Sequence, residues 1–381
     1  MSNTASDDDV REIDSGKNPA RFARGWHCMG LAENFRDGKP HQVEAFGQSM
    51  VIFAGEDGTI SMLDAFCRHM GGNLAHGEIK GNTVACPFHD WRWGGDGRCT
   101  SVPYARRVPR RARTRTWLTM ERNGLLFAWN DPQGNPPPEH VTIPDIDGYP
   151  EGRWSGWSWN SYHVTGANCR EIVDNVVDMA HFFYVHYQVP RFFKNVFEGH
   201  VATQYMSSTG REDVQTGVQM DLPDAVTRSE ASYYGPSFML DTVWTESGGD
   251  VIEAKVVNCH YPITPDSFML QYGVIVEKQP GASEEESRQL AETFTEGLET
   301  QFLQDVEVWK HKSRIENPLL TEEDGPVYQL RRWYEQFYVD AEAVTPEMVD
   351  RFEFEVDCDK AARNWQAESH ENALRLRGAH A

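Results

Sequence analysis

The chain has 381 residues, with 58 acidic and 36 basic side chains and a formal charge of −22. A chain of this length can form two or three domains with complete hydrophobic cores. The negative charge disfavours nucleic acid and anionic lipid as partners, and no stretch of about 18 apolar residues predicts a membrane span.

The sequence favours a soluble cytoplasmic protein. The start, MSNTASDDDVREIDSGKNP, is polar and acidic, and it lacks the basic and apolar segments of a secretory signal. Seven cysteines, an odd number at scattered positions, are typical of a protein in a reducing compartment.

The N-terminal part reads as an antiparallel β domain over residues 21–132, preceded by a flexible tail at 1–20. Apolar runs at 49–54 and 59–64 flank the turn residues 55–58, and 125–129 forms another apolar strand. The next segment, 133–150, is rich in proline and has no periodic pattern, which predicts a stiff linker.

Two cysteine–histidine pairs interrupt this β domain. Cys67 and His69 are followed, after sixteen intervening residues, by Cys86 and His89. Four such ligands can hold tetrahedral Zn²⁺ or a [2Fe–2S] cluster with cysteine on one iron and histidine on the other. The alternating order of cysteine and histidine favours the cluster, and the nearby glycines suit tight loops around its sulfurs.

Six arginines lie close together just beyond the second pair, in the segment 104–117 of an otherwise acidic chain. They are either solvated charges on a strand and turn, or an electrostatic surface for a neighbouring subunit or an electron-donor protein. The arginines are at positions 106, 107, 110, 111, 113 and 115.

Residues 151–381 read as an antiparallel sheet with helices on one side, an α+β arrangement. Trp157 and Trp159 share one face of a strand, the segment 168–187 is predicted to be helical, and several strand-like runs follow. These runs are 228–234, 238–244, 251–261 and 267–277.

The segment NVVDMAHFFYVH places Asp178, His181 and His186 in an otherwise apolar helix. Burying these polar groups is costly unless they are paired or bind a metal. Asp178 and His181 share a helix face, whereas His181 and His186 are five residues apart and can reach one metal only through a kink or a π-type turn. The alternative is a core helix with two hydrogen-bonded histidines.

A second helix is predicted from a capping box at Ser283 and Glu286 to about residue 312. Asp305 lies on its apolar stripe, where a metal ion would compensate the carboxylate. The alternative is an Asp305 that reaches solvent or pairs with Lys310 or Arg314. The stripe consists of Leu290, Phe294, Leu298, Phe302, Asp305 and Trp309.

The segments CRHMGGNLAHG and CPFHDWRW closely resemble the two cluster loops of Rieske proteins, and D-x-x-H-x-x-x-x-H with a distant aspartate resembles the iron site of Rieske non-haem iron oxygenases. This resemblance implies an N-terminal antiparallel β Rieske domain and a helix-grip-like catalytic domain. It also implies mononuclear Fe(II) bound by His181, His186 and Asp305. Asp178 would connect a ligand histidine to a cluster histidine.

Within that family the chain closely resembles the oxygenase components of 3-ketosteroid 9α-hydroxylases, in segments such as HCMGL and KNVFEGHVATQ. The similarity implies a monooxygenase that uses O₂, a 3-ketosteroid substrate, an NAD(P)H-dependent flavin/iron–sulfur reductase and a head-to-tail homotrimer. It also suggests substrate contacts, for which plain core packing is the alternative. These residues are Val177, Gln204, Tyr233, Met239, Asn258, Phe302 and Trp309.

Three other functions are compatible with parts of the sequence. A dihydroxylating or demethylating enzyme for another ring compound would share both metal motifs. A Rieske-type electron carrier would need only the first domain, and a zinc-binding interaction module would be colourless.

Overall fold

The N-terminal half forms three small antiparallel sheets. The computed structural model of the protein describes residues 11–149, 151–214 and 225–379. The sheets have the orders β1-β11-β10, β2-β3-β4-β9 and β5-β6-β7-β8. Their strands are β1 (Gly25–Leu31), β2 (His41–Ala45), β3 (Gln48–Ala54), β4 (Ile60–Asp64), β5 (Glu78–Lys80), β6 (Thr83–Ala85), β7 (Arg92–Gly94), β8 (Cys99–Ser101), β9 (Thr116–Trp117), β10 (Thr119–Arg122) and β11 (Leu125–Asn130).

The C-terminal half is built on one eight-stranded antiparallel sheet with the order β12-β18-β17-β16-β15-β14-β13-β19. Long strands with alternating residues give this sheet one face that can be covered and one that can remain polar. The strands are β12 (Ser158–Thr165), β13 (Gln188–Glu198), β14 (Val201–Gly210), β15 (Val226–Tyr234), β16 (Phe238–Ser247), β17 (Asp250–Thr264), β18 (Ser267–Val276) and β19 (Phe352–Glu355).

The helices belong to the C-terminal half, where the longest packs along the large sheet. Leu290, Phe294 and Leu298 of that helix contact Val256 and Val274 of the sheet. No helix in the described ranges is long and apolar enough to cross a membrane. The helices are α1 (Arg170–Asp174), α2 (Ala180–Tyr184), α3 (Glu284–His311), α4 (Val327–Glu335), α5 (Pro346–Val349) and α6 (Asp359–Ala379).

The two halves share hydrophobic cores. Phe127 of β11 packs edge to face on Phe238 of β16, with ring centroids 5.0 Å apart. The predicted linker contributes to the same core through buried Ile143, and its Val141 carbonyl accepts a hydrogen bond from the Trp26 indole. The proline-rich segment is therefore extended but packed, and it holds the halves in a defined arrangement.

The α+β fold class is confirmed, and so are the hairpin of β3 and β4 and the long capped helix α3. The expected tail lies partly outside the described residues. Within 11–20 there is no helix or strand, but Asp14 hydrogen-bonds through its backbone to Asn317 and Glu316.

The continuous helix predicted at 168–187 is wrong. The segment contains α1, a single 3₁₀ turn at 175–177, an extended Asp178 with φ −92° and ψ 97°, and then α2. The break has a structural cause, because the Val176 carbonyl accepts a hydrogen bond from the buried Asn195 side chain of β13. Asp178 therefore precedes α2 and does not share a helix face with His181.

Candidate metal centres and ligand cavity

The end of α2 brings two histidines to one point. The backbone N–H of His186 is 3.4 Å from the His181 carbonyl, a five-residue spacing of the π type that the sequence required. Tyr187 follows with φ 59°, a left-handed conformation that is uncommon for a non-glycine residue. The strained turn directs the chain from α2 into β13 and places the two imidazoles with ring centroids 5.0 Å apart.

Asp305 of α3 completes this group. Its Oδ2 is 3.3 Å from Nε2 of His186, and one ligand atom from each of His181, His186 and Asp305 lies within 4.8 Å of the others. The cations considered as partners for Asp305 have other contacts: Lys310 donates to the Tyr162 hydroxyl, and Arg314 pairs with acidic residues of α1. Two imidazoles and one carboxylate on one side of a point form a facial set suited to Fe(II).

The hydrogen bond of the His181 ring determines which of its two nitrogens can bind a metal. Nδ1 of His181 is 2.5 Å from the Asp178 carbonyl, and because a carbonyl only accepts, Nδ1 is the donor and Nε2 is left free. Burial lowers the pKa of His181, which favours the neutral imidazole that a metal requires. The residues therefore fit a mononuclear iron ion.

A buried ionic cluster anchors the helix that precedes this site. Arg314 donates to Glu171 at 3.2 Å and to Asp174 at 3.1 Å, while Arg331 of α4 donates to Asp174 at 2.7 Å. Removing one partner from such a cluster leaves a buried unpaired charge, which typically costs about 3–5 kcal/mol. Arg331 of α4 thus positions α1 and, through α1, the metal-binding turn.

A cavity of about 240 Å³ adjoins the three ligands, between the large sheet and α3. Five of the seven suggested substrate contacts line it, and they are Gln204, Tyr233, Met239, Asn258 and Phe302. Val177 and Trp309 lie in the neighbouring hydrophobic core instead. The wall is largely apolar with a few polar groups, as expected for a cavity that binds a flat hydrophobic molecule.

Sequence reasoning missed other polar groups of this wall. Asn175 and Gln301 line the cavity from the 3₁₀ turn and α3, and Asp241 lines it from β16. Asp241 sits in the apolar run FMLDTVWT, where an isolated aspartate on a strand is more typical of a solvent-facing position. Met239, Asp241 and Val243 alternate along β16 and therefore share one face of the strand. This alternation was the signal in the sequence that Asp241 faces the cavity.

The cluster loops meet in the N-terminal half. Cys67 and Cys86 are buried side by side in one apolar cluster, and the imidazoles of His69 and His89 have centroids 4.8 Å apart. Nδ1 of His89 is buried without a hydrogen-bond partner. A Cβ atom at Gly72 would lie 2.7 Å from Sγ of Cys86, so the loop needs glycine at this close approach.

The donor set suits a binuclear cluster better than one zinc ion. Each of the two loops offers one thiolate and one imidazole, whereas the compact three-ligand group among the described residues is that of His181, His186 and Asp305. Two soft thiolates and two neutral imidazoles on opposing loops are the ligands of a Rieske [2Fe–2S] cluster.

The surface next to the cluster loops is both aromatic and basic. Trp91 stacks on the His69 ring at 4.5 Å and 7°, and its indole N–H donates to the exposed Tyr104 hydroxyl at 2.7 Å. The six arginines between 106 and 115 are exposed, and none forms an ion pair with a residue in the described ranges. The positive charges therefore lie beside Tyr104 and Trp91, the aromatic side chains that connect the surface to His69 of the cluster loops.

Comparison with known proteins gives two family matches. Residues 25–112 match the Rieske [2Fe-2S] domain, and residues 128–338 match the 3-Ketosteroid 9alpha-hydroxylase C-terminal domain. The seven cysteines form no disulfide within the chain.

Similar proteins extend over nearly the whole chain. A 3-ketosteroid-9-alpha-monooxygenase oxygenase component of Rhodococcus rhodochrous is 66% identical over 96% of both chains, and one of Mycobacterium tuberculosis is 57% identical over 98% of this chain and 96% of its own. The crystal structure of dicamba monooxygenase bound to dicamba shares the fold, with a TM-score of 0.64, 19% identity, and coverage of 94% of this chain and 100% of that one. The chain therefore belongs to the Rieske oxygenases, in the family of 3-ketosteroid-9-alpha-monooxygenase oxygenase components.

Proposed function

We propose that the protein is the oxygenase component of a monooxygenase that hydroxylates a 3-ketosteroid at carbon 9 during steroid catabolism. One oxygen atom of O₂ enters the substrate C–H bond and the other becomes water, which requires two electrons from a reductase and two protons from solvent. The observation that carries the proposal is the cavity beside His181, His186 and Asp305, walled by apolar side chains with a few polar groups.

Each set of ligands has a role in this proposal. Cys67, His69, Cys86 and His89 hold the [2Fe–2S] cluster, and His181, His186 and Asp305 hold Fe(II). When bound, the iron supplies oxygen activation with electrons relayed by the cluster. The hydrogen bond from His181 to the Asp178 carbonyl fixes the ring that faces the metal.

The remaining residues bind and orient the substrate. Phe302 and Met239 offer apolar surface to the steroid rings, and α3 covers the cavity so that water is excluded from the reacting carbon. Tyr233, Gln204 and Asn258 supply polar contacts from the sheet. Holding a rigid substrate in the cavity beside His181, His186 and Asp305 would select one C–H bond, because only that bond would face these three side chains.

The domain division and the assembly are part of the proposal. A Rieske domain at 21–132, a linker at 133–150 and a catalytic domain at 151–381 would form a head-to-tail ring of three chains. The exposure of Asp178 supports this assembly. Its side chain contacts His181 but is 50% exposed in the single chain, so a neighbouring chain could reach it. In the ring it would meet His89 of a neighbouring chain and connect the two metal centres.

The electron donor in this proposal is an NAD(P)H-dependent flavin/iron–sulfur reductase in the cytoplasm. The exposed arginines at 106–115 would attract an acidic donor toward the cluster loops, against the overall charge of −22. The unpaired thiols support a reducing compartment.

The test is product analysis with the purified oxygenase, a matching reductase, NADH and a panel of steroids. The proposal predicts a 9α-hydroxylated product from 3-ketosteroids and no turnover of the corresponding 3-deoxy compounds. Oxidation of a non-steroid ring compound, with no reaction on any steroid, would replace the substrate assignment while the two metal sites remained.

A further inference from the structure

Asp241 is the unexplained polar group of the cavity. It lies on β16 between Ala231 of β15 and Val256 of β17, its paired residues on the two neighbouring strands. Among the described residues that line the cavity, Asp241 and Asp305 are the two with a carboxyl group. Asp305 faces the histidines, whereas no metal-binding residue contacts Asp241.

One oxygen of this carboxyl group lacks a partner inside the protein. Oδ1 of Asp241 is buried and has no hydrogen bond. A buried polar atom without a partner is unfavourable, so such an atom in the wall of a binding cavity indicates that a ligand group pairs with it. The unpaired oxygen therefore points to a polar group on whatever occupies the cavity.

The surroundings of Asp241 favour its uncharged form. Desolvation raises the pKa of Asp241 to about 7, with a smaller contribution from the negative charge of Glu230 on β15. A backbone hydrogen bond with Glu230 and the positive charge of Lys255 lower this pKa in part, although the Lys255 Nζ also bonds to Glu253 and to the Thr242 hydroxyl. The other ionisable groups of the cavity wall are His181, His186, Tyr233 and Asp305.

We propose that the carboxyl group of Asp241, whose unpaired oxygen lies in the cavity wall, donates a hydrogen bond to a ketone oxygen of the substrate and thereby determines specificity. The inference rests on the proposed function and deepens it. A neutral acid offers one O–H donor, and a ketone is an acceptor only, so the two match. A carboxylate on the ligand would place a second charge in the same apolar surroundings and would be rejected.

The position along the sheet fits an end of the steroid away from the reacting carbon. Met239, which also lines the cavity, is two residues before Asp241 on β16, a step of about 7 Å at about 3.4 Å per residue. Met239 pairs with Tyr233, whose hydroxyl lies in the field of Asp305. Along the sheet, Asp241 thus lies further from His181, His186 and Asp305 than Met239 and Tyr233 do.

The first experiment measures equilibrium binding to the metal-loaded protein without O₂. The probe is a 3-keto-4-ene steroid with a second ketone at C17, compared with two analogues in which either ketone is replaced by CH₂. The variants are Asp241→Asn, which keeps a donor of similar shape, and Asp241→Leu, which has none. Glu246→Gln, an exposed change on the same strand, is the matched control.

The dissociation constant of the diketone should rise about tenfold in Asp241→Leu and less than about threefold in Asp241→Asn, as expected for one hydrogen bond. For one of the two analogues, wild type and Asp241→Leu should bind equally, which identifies the ketone at Asp241. Cluster absorption and the melting temperature verify folding of each variant. Diketone binding by well-folded Asp241→Leu with wild-type affinity would overturn the inference.

The second experiment follows the same binding between pH 6 and pH 8.5. Donation requires the proton, so the affinity of wild type for the diketone should fall as the pH rises through about 7, whereas Asp241→Asn should not show this loss. All other ionisable groups are the same in both proteins, so the difference between them reports Asp241. Tighter wild-type binding at high pH would overturn the inference and assign Asp241 as an ionised acceptor.

The outcomes also separate this inference from the proposed function. If no steroid binds to wild type, both fail. If the diketone binds and is hydroxylated, yet neither Asp241 variant nor pH alters its affinity, the inference on Asp241 fails and the proposed function stands.

Discussion

Nε2 of His186 lies 3.3 Å from Oδ2 of Asp305, and both side chains are buried. The two residues come from separate elements, the turn after α2 and the C-terminal third of α3, and His181 adds a third ligand atom within 4.8 Å. A hydrogen-bonded His–Asp pair alone does not account for the second histidine, whose Nε2 is left free by the bond to the Asp178 carbonyl.

Replacing this carboxylate should remove the iron selectively. In Asp305→Ala, mononuclear iron should fall to less than about a tenth of the wild-type content, because loss of one of three ligands weakens a site strongly. The cluster should persist, since its ligands lie in the other half of the chain. Iron and sulfide analysis together with the visible spectrum measure both centres.

Glu307→Ala is the control for Asp305→Ala, because Glu307 is an exposed acidic residue on the same helix. It should retain the full iron content. A fully iron-loaded, fully active Asp305→Ala protein would mean that another carboxylate binds the metal.

The cluster should depend on each of its four ligands. Cys67→Ser or His89→Ala should abolish the Rieske absorption and all turnover that is coupled to NADH, since no spare ligand is available in the motif. Cys99→Ser is the matched control: Cys99 is buried in the same apolar cluster but belongs to neither motif. A normal reddish-brown spectrum in His89→Ala would refute the ligand assignment.

Local patterns predicted much of the architecture. The capping box at Ser283 fixed the start of α3, and its apolar stripe correctly marked Asp305 as buried. The alternation of short apolar runs likewise predicted β3, β4 and β15 to β18, with ends displaced by a few residues. These elements are determined largely by residues close together in the chain.

The rest depended on contacts between distant residues. The break at Asp178 follows from the bond between Val176 and Asn195 on another strand, which no local pattern reveals. Strands β13 and β14 were not predicted, and a register shift between Pro190 and Phe192 disrupts the alternation of β13. Asp241 became a cavity residue only because α3 covers its face of the sheet.

Asp178→Asn should separate electron transfer from metal binding. The amide keeps the shape and the backbone carbonyl that orients His181, so iron, sulfide and the oligomer should be unchanged. Hydroxylation should fall at least about tenfold, equivalent to about 1.4 kcal/mol, because the variant would lose the charge of the proposed connection between subunits. Metal analysis, sedimentation and steady-state rates measure these three properties.

A mixing experiment extends the Asp178 prediction. Cys67→Ser and Asp305→Ala chains, each inactive alone, should regain activity when assembled into mixed trimers. Verified mixed trimers with no activity above the parents would exclude electron transfer between subunits.

Two buried histidines at the junction of the halves should make the free energy of unfolding depend on pH in the acidic range. Desolvation lowers the pKa of His27 to about 4 and that of His260 to about 3. Unfolded histidine titrates near 6.5, so the unfolded chain binds more protons and the free energy of unfolding falls as the pH decreases from about 6.5 toward about 4. The loss is on the order of 3 kcal/mol for one histidine.

Urea unfolding between pH 7.5 and pH 4.5 tests this dependence. His260→Leu should lose less stability over that range than wild type, whereas His76→Gln, a change at an exposed histidine, should follow wild type. Equal slopes for wild type and His260→Leu would show that other groups cause the acid sensitivity.

Single turnover without a reductase tests most directly whether the two centres work together. Metal-loaded wild type with a chemically reduced cluster is mixed with a 3-ketosteroid and O₂, and product and cluster oxidation are followed in the same sample. The account predicts hydroxylated steroid formed as the cluster is oxidised, and none from Asp305→Ala with an equally reduced cluster. Product from the iron-free Asp305→Ala protein at the wild-type yield, or none from fully reduced, iron-loaded wild type, would contradict it.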